Sequence, residues 1–242
     1  MTGAKHVQLQ QATTSNNLAN ANTNGFKAEL VAFRALPVVA DAPATPTRAF
    51  VVDSTIGHDR TQGPLIHTGN DQDFALKGAG FFAVQAPDGQ EAYTRDGGYV
   101  VDENGIMRTR SGLTILSDAG PITVPNNTRV SIGEDGTISA VPIEGGDRAS
   151  QTLGQLKLVA EVDRNDFYKG VDGLFRRNDG QDAPRADNVR VTPGAVEGSN
   201  VNVVESLVQM IDHARHYDLN IKLMQTADQN GKSATSIMNL AG

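Results

Sequence analysis

Near its C-terminus the chain places Leu207, Met210, Ala214, Tyr217, Ile221 and Met224 in steps of three and four residues. Side chains at those spacings share one face of an α-helix, so the run predicts a helix with an apolar seam. Asn202 ahead of it, followed three residues later by Glu205, matches a capping pair that starts a helix. Val204, Val208 and Ile211 flank the seam on one side. After one repeated step of three, Ala227, Gly231, Ala234 and Met238 carry the spacing to the end. Asp218 and Lys222 add an i,i+4 pair on the outer face. A helix over 203–239 is roughly 55 Å long at about 1.5 Å per residue. Such a helix needs a partner for its stripe, and that demand constrains the fold more than any other feature.

The second helical stretch is N-terminal. Residues 4–22 hold neither Pro nor Gly. Ala4, Val7, Leu18 and Ala21 fit one helical face, which Gln11 and Thr14 interrupt. Asn20, Asn22 and Asn24-Gly25 then predict a helix stop and a turn, because Asn and Gly tolerate positive φ. This helix is the obvious partner within the chain, yet it reads as too short and too polar to cover the seam. The expectation is that the terminal helices pack on helices of other subunits. The alternative is that the long helix lies across the β region.

Between the helices the pattern changes twice. Pro37, Pro43, Pro46 and Pro64 predict a linker over 37–64, with a short strand at Ala49–Val52. From 65 to 195 the signals are β. Phe74-Ala75-Leu76 and Phe81-Phe82-Ala83-Val84 flank Gly78-Ala79-Gly80, and Asp88-Gly89, Asn104-Gly105 and Asp135-Gly136 each sit between candidate strands. Leu156 to Val162 reads as a further strand. Phe74, Phe81, Phe82 and Leu116 are candidate core, and Gly78, Gly80, Gly97 and Gly98 serve backbone geometry. The fold class is thus a mainly β central domain of Gly-rich hairpins, sandwich- or barrel-like, bracketed by N- and C-terminal α-helices. The divisions are 1–36, helix and turn; 37–64, linker; 65–195, β domain; and 196–242, C-terminal helix pairing with the N-terminal segment.

Composition excludes more than it selects. With 242 residues and 38% hydrophobic side chains, a real core is within reach. The absence of Cys removes disulfides, thiolate zinc sites and a cysteine nucleophile. A net charge of -7 argues against a nucleic-acid binder. No apolar run reaches membrane-spanning length, and Met1–Gln11 lacks the apolar stretch of a secretory signal. His213 and His216, beside Asp212, lack the Glu between i,i+4 histidines that marks a zincin. The acidic pairs Asp71/Asp73, Asp102/Glu103 and Asp179/Asp182 fit no EF-hand loop and read as turn chemistry. There is neither a G-x-S-x-G elbow nor a P-loop. No catalytic residue, metal ligand or cofactor is expected. A carboxylate pair for glycoside hydrolysis stays open, since such pairing is spatial.

Ser15–Ala28 reads SNNLANANTNGFKA, which resembles the N-terminal signature of the bacterial flagellar axial proteins, the rod, hook and hook-associated proteins. GAGFFAV at 78–84, YTRDGGYVVDENGIMRTRSGLTIL at 93–116 and EGSNVNVVESLVQMI at 197–211 resemble the same family in the same order. Within it, residues 13–38 are most like the proximal rod subunit, with the distal rod subunit second. The resemblance implies that the terminal helices form a coiled-coil-like inner domain lining a hollow helical filament, with the β domain outward. It implies the periplasmic rod of the basal body as the location. It also implies passage unfolded through the flagellar type III export apparatus, which would account for a missing cleaved signal. The implied partners are copies of this chain and the rod proteins FlgB, FlgC and FlgG, with no nucleic acid and no membrane insertion. The family's N-terminal helix continues ahead of the point where Met1-Thr2-Gly3-Ala4 stands, so this start reads as mid-helix sequence. The candidate subunit interface is Asn16, Asn17, Leu18, Asn20, Asn24, Gly25 and Phe26 with Leu207, Met210, Ile211, Ala214, Tyr217, Ile221 and Met224. Among these the asparagines are taken as a contact ladder, with helix termination as the alternative. The reading from a different class is a secreted β-rich binding module with a helical oligomerisation tail.

Overall fold

The computed structural model describes residues 2–37, 49–143, 149–163 and 166–240. Helix α1 spans Thr2–Ala19, followed by strands β1 (Glu29–Pro37), β2 (Ala49–His58), β3 (Leu65–His67), β4 (Phe74–Lys77), β5 (Phe81–Gln85) and β6 (Glu91–Thr94). Next come β7 (Tyr99–Val101), β8 (Met107–Thr109), β9 (Thr114–Ser117), β10 (Gly120–Pro121), β11 (Thr128–Ile132) and β12 (Thr137–Pro142). The chain ends with β13 (Gln151–Gln155), β14 (Leu158–Val159), β15 (Phe167–Lys169), β16 (Phe175–Arg177), β17 (Arg190–Pro193), β18 (Ala195–Glu197) and helix α2 (Val203–Leu240). A central β-rich region between two terminal helices is the expected fold class. Two compact units emerge: Met1–Ala21 with Glu29–Gly57 and Val201–Gly242, and Asn22–Ala28 with His58–Asn200.

In the first unit α1 packs along α2. A Cβ on Gly3 would lie 3.2 Å from Asn220 Oδ1, which places the start of α1 beside that residue. Shielded positions on α2 are Ser206, Met210, His213, Asn220, Ile221 and Met224, whereas 225–236 are all exposed. That shielded span, 206–224, is 19 residues, close to the 18-residue length of α1. With Gly3 near its far end, α1 runs antiparallel to α2 and covers only its first half. Asn17 then fixes the exit from α1. Its Nδ2 donates to Glu29 O at 3.0 Å and its Oδ1 accepts from Glu29 N at 2.8 Å. β1 turns back past α1, where the Phe33 ring meets His6 edge-on at 4.8 Å. β1 pairs with β2, which contains the short strand expected at Ala49–Val52 and runs on to His58, while β1 occupies ground assigned to the helix-and-turn segment. A Pro-rich stretch keeps strand pairing where its prolines fall outside the ladder or at a strand end, as Pro37 does here. The predicted start of α2 also appears: Asn202 Oδ1 accepts from Val204 N at 3.1 Å and Glu205 N at 3.2 Å. The Glu205 carboxylate, however, bonds Gln209 along the helix.

The second unit is built on a 9-stranded sheet of order β15-β16-β6-β5-β9-β8-β7, with β10 on β9 and β14 on β5, and a 3-stranded sheet β11-β12-β13. Three hairpins share one design. Gln85 pairs with Glu91, Val101 with Met107 and Ile132 with Ile138. Each closes a five-residue loop with Gly at its fourth position, and Gly89, Gly105 and Gly136 have φ of 82°, 78° and 80°. An Asp carboxylate in each loop accepts backbone N–H bonds, which makes the turn signal local and readable. β5 is covered on both faces: Phe82 and Val84 join one hydrophobic cluster, Phe81 and Ala83 the other. A strand buried on both sides reads as a continuous apolar run, as Phe81–Val84 does. The strand expected over Leu156–Val162 is shorter. Leu156 forms an isolated bridge to Ser117, β14 takes only Leu158–Val159, and Glu161 turns to meet His58 and Arg60.

Candidate assembly site

The apolar seam predicted on the C-terminal helix divides in the folded chain. Met210, Ile221 and Met224 are half-buried toward α1, whereas Leu207, Ala214 and Tyr217 are exposed. Ile211 is 54% exposed and Val204 71%. Successive residues turn by 100°, so Val204, Leu207, Val208 and Ile211 form a second apolar stripe roughly opposite the Ser206–Met210–His213 face. α2 therefore carries apolar side chains on two sides, Met210, Ile221 and Met224 on the side beside α1 and Val204, Leu207, Val208 and Ile211 facing solvent. A low amphipathic contrast along the helix follows from that doubling.

The N-terminal candidates serve contacts within the chain. Asn17 holds the Glu29 backbone as described, and Asn20 Nδ2 donates to Asn16 O and Oδ1, both at 3.0 Å. Asn16 is exposed, and Leu18 and Asn24 are half-buried. Gly25 has φ 70°, and a Cβ there would lie 2.4 Å from the Arg95 carbonyl carbon. Only Gly fits both the conformation and the approach. Phe26 is half-buried under the Lys169 ammonium, 3.6 Å from the ring centre.

Residues that sequence reasoning passed over converge here. Lys27, Arg95 and Glu197 are each about 2% exposed or less. Lys27 Nζ donates to Glu197 Oε1 at 2.7 Å and to Thr61 O at 2.6 Å. Arg95 Nη1 donates to Glu197 Oε2 at 2.5 Å, and Gly63 N donates to Glu197 Oε1 at 3.0 Å. Burial, then the nearby Arg95 charge, pull the Lys27 ammonium below its usual pKa, opposed by Glu197. Asn200 completes the cluster: Nδ2 donates to Asp59 O and Thr61 O, and Oδ1 accepts from Ala28 N at 2.7 Å. The available signal was compositional. Three of the four stretches carrying the family resemblance each contribute one charged member, Lys27, Arg95 and Glu197.

No group of three or more His, Cys, Asp or Glu able to hold a metal occurs among the described residues. The acidic pairs are used in turns and ion pairs: Asp73 with Arg110, Asp102 with Arg108, and Asp179 with Arg177. No described helix is long and apolar enough to cross a membrane.

Against known proteins, three family models match: "Flagella basal body rod protein" over 1–27, "Flagellar hook protein FlgE/F/G D1 domain" over 75–140 and "Flagellar basal body rod FlgEFG protein C-terminal" over 192–237. The chain is 40% identical to the flagellar basal-body rod protein FlgF of Escherichia coli K12, covering 100% of this chain and 97% of the relative. The chain belongs to the flagellar basal-body rod protein family. FlgF of Salmonella typhimurium is 39% identical over the same shares. FlgG of Buchnera aphidicola from Acyrthosiphon pisum is 35% identical over 94% of each chain. Membership of the basal-body rod family makes assembly the chemistry to explain. The buried Lys27–Glu197–Arg95 cluster then reads as a fold device of a rod-family subunit, and the stripe Val204, Leu207, Val208 and Ile211 on α2 is exposed.

Proposed function

We propose that the chain is a proximal rod subunit that joins a hollow helical axial structure through its terminal helices. The observation that carries this is the doubled apolar face of α2, with Val204, Leu207, Val208 and Ile211 exposed on the side away from α1. A helix stripe of this kind is buried by another helix. The interface is assigned to Leu207, Ile211, Ala214 and Tyr217 on α2 and to the exposed Asn16 on α1. Met210, Ile221 and Met224 hold the helix pair itself, Leu18 lies near the end of α1, and Asn24 and Phe26 follow α1 in sequence. The partners are further copies of this chain and the rod proteins FlgB, FlgC and FlgG, in the periplasmic part of the basal body. Delivery by the flagellar type III export apparatus, without a cleaved signal, goes with a chain that has no Cys to cross-link in transit. FlgF-type rather than FlgG-type identity is supported by the higher identity and fuller coverage of the two FlgF relatives.

Ile211→Asp tests the surface. Its charge lies on the exposed stripe, so the soluble chain should keep its fold, with stability within about 0.5 kcal/mol of wild type. In the assembled rod the same charge would be buried without a partner. The expected result is a folded protein absent from purified basal bodies; normal incorporation and motility would refute the assignment.

A further inference from the structure

Residues 22–28 follow α1 and precede β1 in sequence, yet they group with the second unit. What holds them there is polar. Neither hydrophobic cluster of that unit includes any of them. Gly25 N donates to Glu197 O at 2.8 Å, Ala28 N to Asn200 Oδ1 at 2.7 Å, and Asp59 N to Ala28 O at 2.8 Å. Lys27 reaches Thr61 O and Glu197 as above. The receiving charged and amide groups keep partners outside this segment, since the Glu197 carboxylate has Arg95 and Gly63 N, and Asn200 Nδ2 has Asp59 O and Thr61 O. Asp59 N, Asn200 N, Asn200 Oδ1 and Glu197 O are the groups that bond the segment. The groups that hold the segment come from residues 59–63, 95, 169 and 197–200, with Lys169 Nζ donating to Lys27 O at 3.2 Å and lying over the Phe26 ring, and β18 pairing with β3 sets Glu197 against Leu65. The receptor is thus a product of the folded β unit.

We propose that residues 22–28 are a strap that closes on the second unit in a step separate from the folding of its core, with Lys27 in the Glu197–Thr61 socket as the latch. This is a property of the single chain and stands or falls independently of the rod assembly surface. The charges make the latch asymmetric. Without Lys27, Glu197 is still neutralised by Arg95, so only the strap lets go. Without Glu197, two buried cations face each other with no anion, and the unit beneath is loosened too.

Amide hydrogen exchange on the full chain reads both outcomes. In Lys27→Met, the Gly25, Ala28 and Asp59 amides should exchange at least about 100-fold faster, the scale of losing a buried charge pair in a local opening. The core amides of Ala83 and Met107, bonded to Lys157 O and Ile122 O, should keep their wild-type rates. In Glu197→Gln both sets should accelerate. Strap amides that stay protected in Lys27→Met, core amides that accelerate with them, or a Lys27→Met chain that does not fold would each overturn the latch. A Glu197→Gln chain whose core is untouched would overturn its asymmetry.

Discussion

Glu161 shows how single side chains tie this protein's stability to pH. Its carboxylate is 3% exposed and lies 3.0 Å from His58 Nε2 and 3.1 Å from Arg60 Nε. Burial pushes the carboxyl up, but the hydrogen bond and charge of His58, with those of Arg60, outweigh it and leave the pKa below the ordinary 4.5. A depressed carboxylate contributes stability above its unfolded pKa and loses it as pH falls through the folded value. Glu161→Gln should therefore melt below wild type at neutral pH, and the gap should close as pH drops below the ordinary carboxylate range. Melting curves of the two proteins across pH 3–7 check this, and a constant gap would contradict it. At this scale the sequence was readable wherever chemistry is local. The Gly of each five-residue hairpin loop and the Asn202 cap act on neighbours a few residues away. Lys27 and Glu197 were not readable, because the partners stand 170 positions apart and only the folded chain makes them one buried pair.

The long helix illustrates the same division between elements. Spacing in steps of three and four gave α2 its existence and its apolar character, and the Asn202 cap its start. It did not say which face α1 would take, because the helix carries apolar side chains on two opposite sides and α1 can cover only one. The covered face includes Ser206 and His213, which no hydrophobic pattern would select. α1 likewise buries a polar residue, Thr14, at 6% exposure. Ile221 therefore belongs with Met210 and Met224 in holding the helix pair. Ile221→Asp should loosen α1 from α2 at a cost of about 2–4 kcal/mol to the pair. Amide protection of α1 should fall in that variant and be preserved in Ile211→Asp. Equal behaviour of the two would show that the faces are misassigned.

For the whole molecule, the sequence pattern divides the chain into four consecutive segments, and the folded chain clusters into two units, each made of segments discontinuous in sequence. A fragment of 60–195 keeps most of the sheets but loses Glu197, Asn200 and the strap, and leaves Arg95 buried without its anion. A fragment of 22–200 keeps the second unit entire. The longer fragment should unfold in one cooperative thermal transition, and the shorter should be less stable by at least about 3 kcal/mol. Calorimetry on both decides it, and equal melting temperatures would remove Glu197 from any role in the unit's stability. The sequence by itself determined the two helices, the β character between them, the hairpin turns and, through four stretches of resemblance, the rod family. Each of these depends on spacing, on turn chemistry or on short motifs, all of which act over a few residues. Only the tertiary structure decided which face of α2 stays open, that β1 and β2 pair across the Pro-rich stretch, and that Lys27, Arg95 and Glu197 share one buried site. Those outcomes depend on which distant segments exclude water together, and no local pattern encodes that.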